Sequence, residues 1–252
     1  MALTKTLALV IRFRPYRETS ILFTATTPEH GTLHFLGKGF REAHKGFMGL
    51  FESLTLLDIV FYERNRSQLQ LLKEVNEIEH FPHLRKDARL YALGCHFADI
   101  VDQLSFGGGN EETNVFKLLI ESLRRIGDPA VGCERLSEAF KMQILVMAGF
   151  TPQLYRCVGC GEEDVSRSRF AYEQGGVVCF KCSVRIGGTL PLSPDGLKAL
   201  RLLSRGSFEE ALLLKTDQKT GLELKRLLDR FISYRLEGDL RTRRVLAQLE
   251  VG

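Results

Sequence analysis

The spacing of hydrophobic positions divides the chain into three parts. Up to about residue 80, short β-branched and aromatic runs alternate with turn residues, a pattern typical of antiparallel strands. From His83 onward, apolar residues recur at intervals of three and four, which predicts amphipathic helices. A cysteine-rich segment over residues 154–188 interrupts the helical spacing, which resumes at Ser193.

Five strands are predicted in the first part. Five short antiparallel strands in about 75 residues are typical of a small closed β-barrel. An OB-fold is the leading interpretation, and an SH3-like barrel would show a similar pattern. The predicted strands cover residues 7–13, 20–26, 32–36, 54–62 and 69–75.

Helices are predicted on both sides of the cysteine-rich segment. Ser193 and Pro194 are typical of a helix start, with serine as N-cap and proline at the first helical position. Ser207 and Glu210 have the spacing of a capping box. The predicted helices include residues 84–104, 113–126, 131–148, 221–236 and 240–249.

These patterns predict an α+β multidomain protein. An OB-fold barrel is expected over residues 1–80, and an α-helical domain over 81–153 and 189–252. The segment 154–188 is expected to be a zinc ribbon inserted in the helical domain.

Four cysteines form two close pairs with eighteen residues between them. Two intervening residues let both thiolates of a pair reach one ion, and two such pairs complete the tetrahedral sulfur cage of a structural zinc. Two disulfides or a redox dithiol are the alternatives. Four sulfurs leave no open position for water or substrate, so one structural Zn²⁺ without a catalytic role is predicted. Its ligands would be Cys157, Cys160, Cys179 and Cys182.

Composition narrows the class of protein only slightly. The 252 residues are 44% hydrophobic and 26% charged, which is ordinary for a globular protein. The net charge of +4 permits a nucleic-acid partner without establishing one. The sequence shows no secretory signal and no apolar run of membrane-spanning length. We therefore expect a cytoplasmic protein with no membrane partner, whose thiols stay reduced.

Motifs for enzyme chemistry are missing from the sequence. The six histidines have no metal-binding spacing, and no Walker A loop, Rossmann glycine pattern, serine elbow or zincin motif occurs. The expectation is a protein that is not an enzyme and has no small-molecule substrate.

Basic residues are concentrated near the N-terminus. Residues 1–50 hold seven lysines and arginines against three acids, with aromatic residues such as Tyr16 and Phe40 among them. Cations for phosphates and rings for bases are the means by which OB-folds hold single strands, although solvated surface is the ordinary alternative. A second basic cluster near the C-terminus could bind phosphate or cap a helix. The candidate DNA contacts are Arg14, Arg17, Lys38, Arg41, Lys45, Arg241, Arg243 and Arg244.

The order of these parts resembles the RecO family of bacterial DNA-repair proteins. The family has a similar Tyr/Trp-x-Glu-x-Ser stretch, a Lys-Gly-x-Arg loop, a segment before the first cysteine pair and a Leu-Lys-Ser-Arg motif near the C-terminus. The corresponding segments here are 14–20, 37–41, 149–154 and 240–243. The resemblance covers nearly the whole chain.

The resemblance implies recombination mediation. Such proteins bind single- and double-stranded DNA and anneal complementary strands, including strands coated by single-strand-binding protein. With RecR they help to load RecA onto gapped DNA, in the cytoplasm at the nucleoid. Lys38, Arg41 and the C-terminal cluster would be the DNA contacts.

One segment departs from the family pattern. Members often carry an arginine before the phenylalanine of the helix that precedes the zinc site, a region linked to docking of the single-strand-binding protein tail. Here residues 137–141 read Ser-Glu-Ala-Phe-Lys, so the nearest basic residues are Lys141 and Arg135.

The alternative function is an adaptor whose barrel binds a partner protein, with DNA contact incidental.

Overall fold

The structure is a computed structural model that describes residues 2–40, 51–64, 67, 69–104, 106, 109–236, 240, 242, 246 and 248. The chain divides into two compact units. The first comprises residues 1–124 and 241–252, and the second comprises residues 125–240. The division falls inside the predicted segment 81–153, and the predicted domain boundaries stay predictions.

Five strands form the barrel of the first unit. They follow the order β1–β2–β3–β5–β4, and β4 returns to β1, so the sheet closes. The β3–β5 pair is parallel, whereas the other pairs are antiparallel. The five-stranded OB-like barrel predicted from the sequence is thereby confirmed. The strands are β1 (Ala2–Tyr16), β2 (Ser20–Thr27), β3 (Gly31–Gly37), β4 (Leu56–Glu63) and β5 (Leu69–Glu79).

The barrel closes through the length of β1. Its first half, from Ala2 to Leu9, pairs with β4, and its second half, from Leu9 to Tyr16, pairs with β2. The register shifts between Val10 and Arg12, as at a β-bulge, and bulges bend a strand and increase its twist. The bend therefore lets β1 pair with β4 along its first half and with β2 along its second half.

Aromatic side chains fill the interior of the barrel. Phe23 and Phe35 stack with their ring centroids 4.9 Å apart, and Phe61 meets Phe35 edge-on at 5.3 Å. All three are buried, together with small and branched residues such as Ala8 and Ile59. Alternation within β2 and β4 directs Phe23, Ile59 and Phe61 inward, whereas residues 8–11 of β1 are buried on both faces.

Helices follow the barrel in the first unit. A 3₁₀ turn at Leu84–Lys86 leads to α1 (Ala88–Gln103), and α2 (Asn110–Arg125) comes next. Asp87 caps α1 because its side chain accepts a hydrogen bond from the backbone N–H of Arg89.

The second unit is built from helices around a small sheet. The sheet has the order β7–β6–β8, and its strands lie between α3 and α5 in the sequence, so the ribbon is inserted in the helical part as predicted. Ser193 caps α5 and the capping box at Ser207 is present, both as the sequence predicts. The elements are α3 (Cys133–Met147), β6 (Ser168–Ala171), β7 (Gly176–Cys179), α4 (Phe180–Ser183), β8 (Thr189–Pro191), α5 (Pro194–Arg205), α6 (Phe208–Leu213) and α7 (Gln218–Arg235).

Within the described part of the chain, no helix has the length and apolar character needed to cross a membrane. The predicted last helix, 240–249, lies largely outside the described residues.

Candidate metal centre and nucleic-acid interface

The structure brings the four cysteines of the two pairs together. Their sulfur atoms all lie within 4.8 Å of one another. The first pair lies in the loop before β6, whereas Cys179 ends β7 and Cys182 lies in the single turn of α4. The β6–β7 hairpin holds the second pair beside the first, because the backbone N–H of Val158 donates to the carbonyl of Val177 in β7.

The spacing of the sulfur atoms fits a tetrahedral metal site. The Sγ atoms of Cys160 and Cys179 are 3.8 Å apart. A tetrahedron with metal–sulfur bonds of about 2.3 Å has edges of about 3.8 Å, whereas a disulfide needs sulfurs about 2.05 Å apart. The four cysteines are free thiols. The arrangement could hold a metal ion, and it argues against the two disulfides left open by the sequence.

Backbone groups prepare one thiol for metal binding. Gly159 and Cys179 direct their amide N–H groups at the Cys157 sulfur, at 3.4 and 3.3 Å. Burial acts to raise the pKa of Cys157, but hydrogen bonds from these amides and that of Cys160 prevail and lower it to about 6. Since the thiolate is the ligand form, the knuckle favours the form that binds metal.

Two glycines favour the close turn of the first knuckle. A Cβ on Gly159 would lie 3.1 Å from the Cys182 sulfur and 2.9 Å from the Cδ1 atom of Ile186, so a side chain there would push against the sulfur cluster. Gly161 has a φ of +78°, a left-handed conformation that favours glycine. Both glycines bring the chain around the sulfur cluster.

Aromatic contacts fix the ribbon to the last helix of its unit. Phe170 of β6 is fully buried and meets Phe231 of α7 edge-on, with ring centroids 5.3 Å apart. The guanidinium of Arg230 lies 4.7 Å from the ring centre of Tyr172 and donates a hydrogen bond to its hydroxyl. The sulfur cluster is therefore carried by a packed hairpin.

An open cleft in the first unit gathers basic and aromatic residues. It has a volume of about 1030 Å³ and lies at the β1–β2 hairpin and the end of β3. Arg17 in the turn has a φ of +55°, and its guanidinium lies 5.3 Å from the ring centre of Tyr16. Lys38 is exposed directly after β3. The lining residues are Tyr16, Arg17, Glu18, Thr19, Ser20, Leu36 and Lys38.

Acidic partners neutralise part of the N-terminal basic cluster. Lys5 pairs with Asp58 at 2.8 Å, and Arg12 pairs with Asp102 of α1. Arg14 is exposed on β1, and among the described residues neither it nor Lys38 has a carboxylate within ion-pair distance. Lys5 and Arg12 therefore have acidic partners within the unit, and the predicted contacts Arg17 and Lys38 are exposed at the cleft.

The aromatic residues of this region differ in their surroundings. Phe40, a candidate for base stacking, packs against the barrel core and meets Phe51 edge-on at 6.2 Å. Tyr16 is the aromatic side chain in the cleft. The sequence indicates this position of Tyr16 because the residue lies in a Pro-Tyr-Arg run directly before a three-residue turn.

Several predicted contacts lie outside the described residues. These are Arg41, Lys45, Arg241, Arg243 and Arg244.

The basic residues near the departure from the family pattern have internal partners. Lys141 is 5% exposed and pairs with Asp229 of α7 at 2.5 Å. Arg135 donates to the backbone carbonyl of Leu212. Lys141 is therefore a buried structural cation, not a surface contact.

Comparison with known proteins matches both the N-terminal and the C-terminal part of the chain to the same family. The family model described as recombination protein O, N terminal, matches residues 1–81, and that described as recombination protein O, C terminal, matches residues 85–244. A DNA repair protein RecO of Symbiobacterium thermophilum is 30% identical over 252 residues, covering 99% of this chain and 98% of that protein. Those of Desulfatibacillum aliphaticivorans and Syntrophus aciditrophicus are each 28% identical and cover 97% and 98% of this chain and 96% of each relative.

These matches confirm the resemblance found in the sequence, and they agree with the OB-like barrel and the four-cysteine ribbon. The chain belongs to the RecO family of DNA-repair proteins.

Proposed function

We propose that this protein is a non-catalytic recombination mediator that binds DNA and anneals complementary single strands. Together with RecR, it would help to load RecA onto DNA coated by single-strand-binding protein. The observation that carries this proposal is the open cleft where Tyr16, Arg17 and Lys38 meet on an OB-like barrel. Family membership and the cation–aromatic combination support it.

Annealing by this route needs positioning and charge neutralisation only. Two strands repel through their phosphates, and cations that contact both lower this repulsion so that base pairing completes the reaction. No nucleotide or magnesium is required, and the protein acts in the cytoplasm at the nucleoid. The proposed contacts are Arg14, Arg17, Lys38, Arg41, Lys45, Arg241, Arg243 and Arg244.

We further propose that the four cysteines hold one structural Zn²⁺. Four cysteine sulfurs within 4.8 Å of one another, two of them 3.8 Å apart, match the preference of zinc for sulfur ligands. Bound there, the ion would fasten the loop before β6 to the β7–α4 junction and would have no open coordination position.

The experiment that tests annealing uses purified zinc-loaded protein without nucleotide or magnesium. Annealing of complementary oligonucleotides, bare and coated by single-strand-binding protein, is followed while salt is raised. The double substitution Arg17→Glu and Lys38→Glu should weaken single-strand binding roughly 50-fold at 0.1 M salt, because two phosphate contacts are lost and repulsion is added.

The control is Lys86→Glu, which reverses a charge in the same unit and leaves every residue of the cleft unchanged. Lys86 is exposed in the same unit and lies outside the cleft, so this variant should anneal like wild type. Wild-type annealing that does not respond to salt, or equal losses in the control and the cleft variant, would contradict the proposal.

A second candidate is a protein-interaction adaptor, and the outer face of β1 favours it. Leu3 and Leu7 are 53% and 38% exposed, and they lie opposite Tyr62 and Asp58 of β4. The adaptor predicts that the cleft variant still binds RecR and supports repair in cells. Repair lost while RecR binding persists would reject the adaptor in favour of the mediator.

A further inference from the structure

The C-terminal basic motif carries a polar residue with a defined place in the structure. Thr242 stands between Arg241 and Arg243. Its hydroxyl donates a hydrogen bond of 3.1 Å to Asp99, its backbone N–H lies 3.5 Å from the same oxygen, and Nδ1 of His96 lies 3.1 Å from the hydroxyl oxygen. Since the hydroxyl hydrogen points to Asp99, Nδ1 of His96 is the donor in the third contact.

The two side chains that bind Thr242, the donor His96 and the acceptor Asp99, are buried on α1. His96 and Asp99 are each 5% exposed. A buried carboxylate is costly without hydrogen-bond donors, and Thr242 supplies two donor groups from the far end of the chain. The segment from residue 241 belongs to the same compact unit as the barrel, which agrees with this attachment.

Helix α1 also contacts β1, the barrel strand that ends at the cleft. Asp102 lies three residues after Asp99, so the two carboxylates share a face of α1. Asp102 pairs with Arg12 of β1, and β1 continues to Tyr16 at the cleft. One face of one helix thus contacts both β1 and the C-terminal motif.

We propose that Thr242 is a positioning residue that holds the C-terminal basic motif on the barrel unit, so that Arg241 and Arg243 act with the cleft on one nucleic-acid strand. Arg241 and Arg243 are the immediate neighbours of Thr242 in the sequence. Anchoring reduces the conformational entropy lost when these side chains contact phosphate. This inference rests on the proposed DNA-binding function.

The test compares full-length variants in binding a fluorescent oligo-dT at several salt concentrations. Thr242→Val keeps the side-chain shape and removes the hydroxyl, and it should weaken binding about five- to tenfold at 0.1 M salt and lower the salt slope by about one. Thr242→Ser restores the hydroxyl and should bind within about twofold of wild type, a rescue that a requirement for side-chain bulk alone would not give.

The matched control is Thr113→Val. Thr113 in α2 donates to the carbonyl of Pro28, so this change removes a hydroxyl hydrogen bond of the same unit away from the motif. It should leave the affinity and the salt slope unchanged. The melting temperature of each variant reports whether it folds.

A thermodynamic cycle separates positioning from general stability. In a background of Arg241→Ala and Arg243→Ala, Thr242→Val should cause no further loss, because the groups that it positions are absent. A full additional loss there, or wild-type binding by Thr242→Val, overturns the inference.

Limited trypsin digestion gives a readout that needs no DNA. Thr242→Val should speed cleavage after Arg241 and Arg243 relative to wild type and Thr242→Ser, and unchanged cleavage counts against the anchor. If wild type itself fails to bind the oligonucleotide, the proposed function fails. If only the Thr242 effects are missing, the anchor alone fails.

Discussion

Glu138 is a carboxyl group with an unusual environment inside α3. It is 5% exposed and lies one helical turn before Lys141, whose charge is shared with Asp229. Burial raises the pKa of Glu138 to about 7, and the attraction of Lys141 offsets this only in part. The native state therefore keeps a proton that the unfolded chain releases near its ordinary pKa of 4.5.

This raised pKa makes stability depend on pH. Because the native state binds more protons, the free energy of unfolding falls as pH rises from about 4.5 to about 7, and the whole cost is present above that window. Glu138→Gln should therefore become more stable relative to wild type as pH rises, by about 2 kcal/mol between pH 5 and pH 8. Urea unfolding at both pH values measures the difference.

Glu173→Gln is the control for this prediction. Glu173 is exposed in the same unit and is not among the charges that act on Glu138, so its replacement should give the same small change at both pH values. A stability difference for Glu138→Gln that does not vary with pH would show that the buried carboxyl is not the source.

Residues whose chemistry depends on local spacing were predictable from the sequence. The two cysteine pairs are an example, since each pair lies within one turn of chain. The ion pairs of Lys5 and Arg12 were not, because their partners are Asp58 and Asp102, far away along the chain. Which basic residues have an acidic partner is decided by such long-range pairing.

We expect the fold of the ribbon to depend on a metal ion bound by its sulfur cluster. Its three strands are three or four residues long, too short for a stable sheet without further support. Cys160→Ser should remove one ligand, so zinc content should fall and the melting temperature should drop by several degrees. Elemental analysis and thermal unfolding measure the two effects.

Cys133→Ser is the matched control for the ribbon. Cys133 is half-buried at the start of α3 and lies outside the sulfur cluster. It should keep one zinc ion per chain. A folded Cys160→Ser protein with normal melting and no zinc would contradict the structural role of the metal.

Among elements, those with local start signals were predicted best. Ser193 and Ser207 cap α5 and α6 as expected because a cap is formed by residues within one turn. β1 is longer than predicted, extending from Ala2 to Tyr16. Its added N-terminal part is stabilised by β4, about 50 residues away, and no local pattern records that pairing.

At the scale of the whole molecule, the two proposed ligands belong to different units. The cleft lies in the unit of residues 1–124 and 241–252, whereas the cysteines lie in that of residues 125–240. A ligand that binds only the native state slows the opening reactions that disrupt its site. Each ligand should therefore protect the backbone amides of its own unit.

Hydrogen exchange read by mass spectrometry tests this expectation in the full chain. Removing zinc with a chelator should speed exchange in peptides that contain β6, β7 and α4, while adding oligo-dT should slow exchange at the β1–β2 hairpin and the end of β3. The Arg17→Glu and Lys38→Glu variant provides the control, because it should lose the oligonucleotide footprint and keep the zinc-dependent one. Protection by oligo-dT confined to the ribbon would move the DNA site to the second unit and refute the cleft.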